Sequence, residues 1–482
     1  MSLTELHVLF LFLPLCMGLN LLFRKINQNL SKFFLVLFSL IFYGVADYTL
    51  IPWILIFSLI VHMVGKIISV AKKPKLVTGI GVVAVVATLF SYKYLNCCMY
   101  LLTRFLDFPI VEFNLLVPIG ISYISFSAIS FIVDVYRKDA PVVNFLETLN
   151  YISFFPKIIC GPIVLYKNFI KYGSNCPPSS ISEPIATEDN RITLDLFFTG
   201  LNRIMIGLAK KVILADSFGL ILSKIPNTGI DVITAIGVVI LYGLQLYYDF
   251  SGYSDIAIGI SNTLGYSFGR NFNFPYTATS ITDFWRKWHI SLGTFFKEYI
   301  YIPLGGNRKG ELRTLFNIGV VFITTGVWHG AGLNYLLWGA SHGACRIGEK
   351  LLDKNKIYNK VPKFIKWAVT MVIVFLGWQL FRLTDMSQIK EFFSILFGFT
   401  KYDNINFTWE YYFTAKPIIF SIIGILGSTL LGSNKIRSLY MKLSKNNVIF
   451  ASIVQVVLLA LFVISIMFIV NSSYSPFMYF QY

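Results

Sequence analysis

Residues 233–248 read ITAIGVVILYGLQLYY, and residues 249–255 continue DFSGYSD. The first segment carries no charged side chain and is bounded by Asp231 and Asp249. A helix crossing hydrocarbon needs such a run, because its backbone groups must bond within the helix and its side chains must be apolar. Similar runs occupy residues 6–23, 33–45, 50–70, 77–95, 315–328, 333–347, 364–381, 417–431 and 449–470. The run at 33–45 is short against the about 20 residues that a span needs, which predicts tilt or packing inside a bundle. The expected fold class is an all-α polytopic membrane protein with about eleven transmembrane helices, plus interfacial and re-entrant pieces.

Composition agrees. Of 482 residues, 56% are hydrophobic and 13% charged, with mean hydropathy +0.67, whereas soluble domains carry about 25% charge. The net charge of +17 invites a nucleic-acid reading. The Lys and Arg, however, stand in short clusters between apolar runs, as cytoplasmic loops on an anionic leaflet do, so no nucleic-acid partner is expected. Arg24/Lys25/Lys32 and Lys66/Lys72/Lys73/Lys75 alternate with the weakly charged turn at Asp47, as the positive-inside rule requires. Glu5 precedes the first run and Arg24 follows it, which predicts a retained first helix with its N-terminus outside, not a cleaved signal. The six Cys show no C-x-x-C or Cys/His ligand spacing and read as small apolar fillers, with no metal expected.

Some stretches depart from plain spans. Phe155-Pro156-Lys157 and Cys160-Gly161-Pro162 interrupt residues 149–170. Broken backbone at membrane depth is tolerated only inside protein or beside a cavity, so bundle-interior or re-entrant pieces and Pro-kinked spans are both open. Residues 173–191 are polar and read as an exposed loop. Residues 194–225 carry Arg203, Lys210, Lys211 and Asp216, a density that suits a helix partly in the interface. The segment 387–399 is amphipathic, and the aromatic tail 476–482 suits a membrane interface. Asp249 and Asp255 lie six apart, a poor spacing for two ligands on one helix face, so each reads as a cap or as the partner of a buried cation.

The chemistry centres on two Trp-His pairs in a chain with five His: Trp288-His289 in a basic aromatic connector and Trp328-His329 at the end of an apolar run. Trp285 and Trp288, three apart, share a face of an expected amphipathic interfacial helix. Gly305-Gly306 marks a turn without a phosphate-loop frame. The plain reading of His329 is a helix-end imidazole with Gly330 as a left-handed cap, which leaves the paired Trp residues unexplained. An ionisable group at membrane depth is costly unless it works. No nucleophile elbow, metal cluster or Walker loop is present, leaving proton transfer by a neutral imidazole, which suits acyl transfer to a hydroxyl. His7 and His62 read as structural or interfacial, and His342 as a supporting partner. A non-catalytic transport or export component is the alternative of another class, weakened by the lack of an inverted repeat.

DFWRKWHIS at 283–291, YIPLGGNR at 301–308 and VWHG at 327–330 resemble the membrane-bound O-acyltransferase family. The similarity extends to YDFSGYSD at 248–255, PIGIS at 118–122, Phe155-Pro156 with Gly161-Pro162, and residues 477–482, so it covers nearly the whole chain. It is closest to the bacterial branch typified by the membrane protein of alginate O-acetylation. The resemblance implies a single domain over residues 1–482, with the helices ringed around a thinned centre. It implies His329 as the catalytic residue, as general base or transient acyl site, with His289 in the same tunnel. Trp285, Trp328, Asp249 and Asn307 are the expected substrate-lining residues. It also implies no bound cofactor, acetyl-CoA as the acyl donor, and multi-pass residence in the bacterial cytoplasmic membrane among membrane lipids. The expected partners are an extracytoplasmic acetyltransferase of hydrolase-like fold and polysaccharide synthesis machinery. The sibling branch, which moves D-alanine from a carrier protein toward teichoic acid, ranks second because it lacks the continuation at 304–308. The polymer is not identified by the sequence.

Overall fold

The structure, a computed structural model, describes residues 2–106, 113, 115–171, 193–352, 360–402, 405 and 407–471. The polar stretch 173–191, Cys176 and the aromatic tail 476–482 lie outside them. Among the described residues, regular structure is helical throughout. Among the described residues, seven helical stretches are long and apolar enough to cross a membrane: Val8–Ile26, Gln28–Val70, Pro74–Leu106, Val232–Thr263, Lys363–Arg382, Ala415–Gly432 and Val448–Asn471. The chain is therefore an all-helical, multi-pass membrane protein. Gln28–Val70 is itself two helices, Gln28–Asp47 and Ile51–Val70, joined by the turn Tyr48–Leu50. The short run at 33–45 is thus the apolar middle of a 20-residue helix, started by Asn27, whose side chain accepts from Asn29 N. Glu311–His329 and Leu333–Leu352 are comparably long helices, at 19 and 20 residues, but fall short of the same apolarity.

The chain forms two compact units, Met1–Ile204 with Tyr253–Arg270, and Met205–Gly252 with Asn271–Tyr482. In the first, the Pro and Gly breakers act as expected. Helix Phe145–Ser153 stops at Phe154, and the single turn Phe155–Ile158 follows with Pro156 in its first positions. The freed Phe155 N–H donates to Ser39 Oγ at 3.2 Å, which satisfies inside the protein what lipid cannot. A Cβ on Gly161 would meet Pro156 O at 2.3 Å, so only glycine lets the chain fold back on that turn. Phe12, Phe42 and Phe155 pack around it with centroids 5.3 to 5.7 Å apart. His62 is buried and bonds Thr148 Oγ1 through Nδ1 at 3.0 Å, a structural role as expected.

The charged run 194–225 has a reason other than an interface. It forms Leu194–Leu208, a wide turn Ala209–Ala215 and Asp216–Leu222. In the first unit Arg203 Nε donates to Asp255 at 2.9 Å. In the second, Lys211, with its side chain 3% exposed, reaches Asp216 at 2.5 Å and Asp249 at 2.8 Å. The two aspartates of 249–255 therefore take different cations, as their six-residue spacing requires. A buried charge left without its partner is strongly destabilising, by about 3–5 kcal/mol. Lys211→Met should accordingly lower the melting temperature in detergent more than the pair Lys211→Met/Asp249→Leu does. Equal losses would assign Asp249 no dependence on Lys211.

Candidate active site

The second unit holds both Trp-His pairs. Helix Ile281–Lys287 ends before Trp288, whose backbone is extended at φ −101°, ψ 128°. His289 follows at φ 44°, ψ 54°, and helix Ile290–Phe296 starts behind it. A non-glycine residue stays in the left-handed region only where its surroundings hold it there. Here the irregular segment around Asn271 does so. Asn273 N donates to Lys287 O at 2.9 Å, and Ile290 N donates to Asn271 O at 2.9 Å. The Asn271 side chain closes the clamp, its Oδ1 accepting from Ser291 N at 3.2 Å, Ser291 Oγ at 2.9 Å and His289 Nδ1 at 3.1 Å.

This clamp selects a tautomer. Ser291 N can only donate, so the Asn271 atom it meets is the carbonyl oxygen, and His289 Nδ1 must carry a proton to approach it. Ser291 Oγ also lies 3.4 Å from Nδ1, but the shorter contact to an obligate acceptor decides the proton's place. The neutral ring then has its lone pair on Nε2. That atom is buried and has no hydrogen-bond partner among the described residues. The imidazole ring has Phe250 edge-on at 4.7 Å and Phe272 near-parallel at 6.4 Å, centroid to centroid.

An interfacial amphipathic helix is not what forms here. Phe284 and Trp288 are 0% and 2% exposed. Trp288 packs on Trp378 at 4.7 Å and on Phe284 at 5.6 Å. Of the helix's two basic residues, Lys287 donates to Asp283 at 2.8 Å and Thr277 Oγ1 at 3.2 Å, while Arg286 stays exposed. The helix start is fixed from far along the chain. Glu349 accepts from Ile281 N and, through Oε2, from Thr282 N at 2.9 Å and Thr282 Oγ1 at 2.7 Å. A carboxylate on those amides also balances the positive end of the helix.

His329 is the last residue of helix Glu311–His329. Gly330 is extended, at φ 175°, ψ 170°, so the expected left-handed cap does not form. A left-handed turn would send the chain back over the helix, whereas the extended residue lets Leu333–Leu352 pack tightly against it. A Cβ on Gly326 would meet Tyr335 O at 2.5 Å, and one on Gly339 would meet Phe322 O at 2.5 Å. His329 is 6% exposed and is walled by Trp328 at 4.6 Å, Phe381 at 4.9 Å and Trp338 at 5.2 Å, all edge-on or nearly so. Trp338 also touches His342 at 5.3 Å, Trp285 at 5.8 Å and Trp378 at 6.0 Å. Trp288, Trp378 and Trp338 thus link the surroundings of His289 to those of His329.

The expected lining residues fall in different places. Trp328 borders His329, and Trp285 packs at 5.5 Å on His342. Asp249 is held by Lys211, and Asn307 stands exposed on the turn after helix Ile290–Phe296. His342 is 1% exposed, and neither ring nitrogen has a partner among the described residues. The same holds for the indole nitrogens of Trp285 and Trp338. Chemically, the arrangement offers an imidazole acceptor at His289, a second imidazole at His329, and unspent N–H donors suited to a developing oxyanion. Sequence reasoning missed Asn271, Trp338, Trp378 and Glu349. None sits in a motif with the histidines, although Trp338 lies one helical turn before His342.

Substitutions at two positions test the clamp and the helix start. Asn271→Ala should slow acyl transfer by about tenfold to a hundredfold, since a misplaced proton-transfer partner forfeits most of its advantage. Asn271→Asp, which keeps an acceptor for Nδ1, should lose less, with both rates measured in proteoliposomes. Glu349→Ala should cost about 1–2 kcal/mol of stability, as loss of a helix cap does, read as a lowered melting temperature.

Comparison with known proteins follows the same lines. The sequence profile of the membrane-bound O-acyltransferase family matches residues 37–384. A probable alginate O-acetylase AlgI from Pseudomonas putida is 33% identical, covering 98% of this chain and 98% of its own. The peptidoglycan O-acetyltransferase of Helicobacter pylori is 30% identical over 75% of this chain and 72% of its own. The teichoic acid D-alanyltransferase of Bacillus subtilis is 29% identical over 54% of this chain and 66% of its own. With the buried histidines set in a multi-pass helical fold, these matches show that the chain is an enzyme of the membrane-bound O-acyltransferase family.

Proposed function

We propose that this acyltransferase moves acetyl groups from a cytoplasmic donor across the membrane toward hydroxyls of an exported polysaccharide. The observation that carries the reading is the orientation of His289, whose Nδ1 bonds Asn271 and whose Nε2 is left bare. A neutral imidazole with an unspent lone pair can take the proton of an acceptor hydroxyl. The oxygen then attacks the carbonyl carbon of an acetyl thioester, the carbon–sulfur bond breaks, and the thiolate leaves and recovers the proton. Acetyl-CoA is the natural donor, and the enzyme needs no bound cofactor. His329 serves as general base or transient acyl site, with His289 as its partner. Trp285, Trp328, Asp249 and Asn307 are the residues assigned to the substrate path.

Acetyl is favoured over D-alanyl because the O-acetylating relatives match most of the chain and the D-alanyl relatives about half. The reading includes about eleven membrane crossings ringed around a thinned centre within one domain, in the bacterial cytoplasmic membrane. It also includes an extracytoplasmic acetyltransferase of hydrolase-like fold that takes the acyl group onward, beside polysaccharide synthesis machinery. His329→Ala should abolish acetate on the polymer while polymer export continues, measured by ester analysis of secreted material. Undiminished acetylation in a His289→Ala/His329→Ala double variant would instead make the protein a non-catalytic export component.

A further inference from the structure

The second unit carries an open apolar groove of about 480 Å³ between three of the candidate spans. Ile240 and Leu244 of Val232–Thr263 form one side, Met371 and Phe375 of Lys363–Arg382 the second, and Ile425 of Ala415–Gly432 the third. The polar side chains in its wall are spent within the protein. Tyr276 Oη donates to Gly243 O at 2.5 Å, and Trp367 Nε1 donates to Tyr276 O at 2.8 Å. Ser428 Oγ and Thr429 Oγ1 donate to Ile425 O at 3.1 and 2.6 Å. The wall therefore offers nothing to a polar guest, and a groove between membrane spans is filled from hydrocarbon rather than from water.

Its length and its ends say what fits. Trp367 and Leu376 both line it, and helical rise puts them about 13 Å apart along the span. One leaflet of hydrocarbon is about 15 Å deep, so the groove takes a single acyl chain lengthwise. Lipid tails are as apolar as the wall, so the hydrophobic effect does not choose the occupant. The headgroup does. Trp367 and Tyr276 mark the end of the groove that suits a membrane interface. Lys360, Lys363 and Lys366 lead into Trp367, and Lys435, Arg437 and Lys442 follow Thr429. The second cluster is tied to the segment that holds Tyr276. Arg437 Nη1 donates to Asn273 Oδ1 at 3.4 Å, and a Cβ on Gly432 would meet Phe274 Cβ at 2.6 Å. Lys363 and Lys435 stand exposed, and no acidic residue occurs in 360–384 or 415–447. That end of the groove complements a negative headgroup.

We propose that the groove is a binding site for an anionic phospholipid, with one acyl chain along Met371 and Phe375 and its phosphate at Lys363 and Lys435. The lipid is a resident of the site and not a substrate. No step assigned to His289 or His329 enters it.

The test uses the full chain in nanodiscs of equal phosphatidylglycerol and phosphatidylcholine, with a photoactivatable diazirine on the acyl chain of one lipid and then of the other. Cross-links are mapped by peptide mass spectrometry. Val448–Asn471, where Val456 is 65% exposed, reports ordinary lipid contact. Labelled phosphatidylglycerol should mark residues 367–376 more heavily than Val448–Asn471. It should exceed labelled phosphatidylcholine there by about fivefold, the preference that one lysine confers at an anionic surface. Ile240→Trp, which fills the groove from a part-exposed position, should remove the labelling of 367–376 and leave that of Val448–Asn471. Lys363→Gln/Lys435→Gln should make the two lipids label the groove equally. Labelling of 367–376 no heavier than that of Val448–Asn471 would overturn the site, as would unchanged labelling in folded Ile240→Trp. Equal labelling by the two lipids in the wild type would overturn the anionic headgroup. Loss of acyl transfer in His329→Ala leaves this result untouched, so the two readings fail separately.

Discussion

The site depends on one carbonyl oxygen. Asn271 Oδ1 gathers donors from His289 and Ser291, and in doing so it holds His289 in a left-handed backbone that the residue would not choose alone. The same contact puts the ring proton on Nδ1 and leaves Nε2 as the acceptor. Backbone strain, ring orientation and protonation state thus have a single cause. An imidazole that rotated freely in an aromatic cavity would have neither a fixed tautomer nor a fixed aim.

Around that clamp, the rings supply rigidity and exclude water. Trp288, Trp378 and Trp338 form a continuous aromatic body, and His329 is walled by three rings. Aromatic pairs at these spacings add about 0.5–1.5 kcal/mol each beyond their area burial. Close approach of the helices that carry His329 and His342 depends on glycine at 326 and 339. A low-dielectric surrounding strengthens every remaining polar contact, so a few unspent N–H groups can matter greatly to a developing negative oxygen.

Much of this was legible in the sequence. The apolar runs gave the class, and the FWRKWH and VWHG blocks located the two histidines before any coordinates. The Pro and Gly interruptions near 155–162 marked a broken helix, because a missing N–H and a missing Cβ have local consequences. The six-residue spacing of Asp249 and Asp255 marked separate partners. What escaped was tertiary. Trp285 and Trp288 were assigned to an interface because ring and charge alternate there, yet Lys287 turned to Asp283 and the rings went inward. Asn271 and Glu349 act on the site from 18 and 67 residues away, and no periodicity records a hydrogen bond of that range. Apolarity alone also understates the bundle, since helices such as Glu311–His329 carry polar faces toward the protein interior.

His289 presents an unprotonated Nε2, fixed by Asn271. This state is tested most directly by nitrogen-15 magnetic resonance of histidine-labelled protein in lipid at neutral pH, with His289→Gln used to assign the signal. The expected spectrum is that of a His289 ring protonated at Nδ1 and bare at Nε2. A ring protonated at Nε2 with Nδ1 bare, or an imidazolium with both nitrogens protonated, would contradict it.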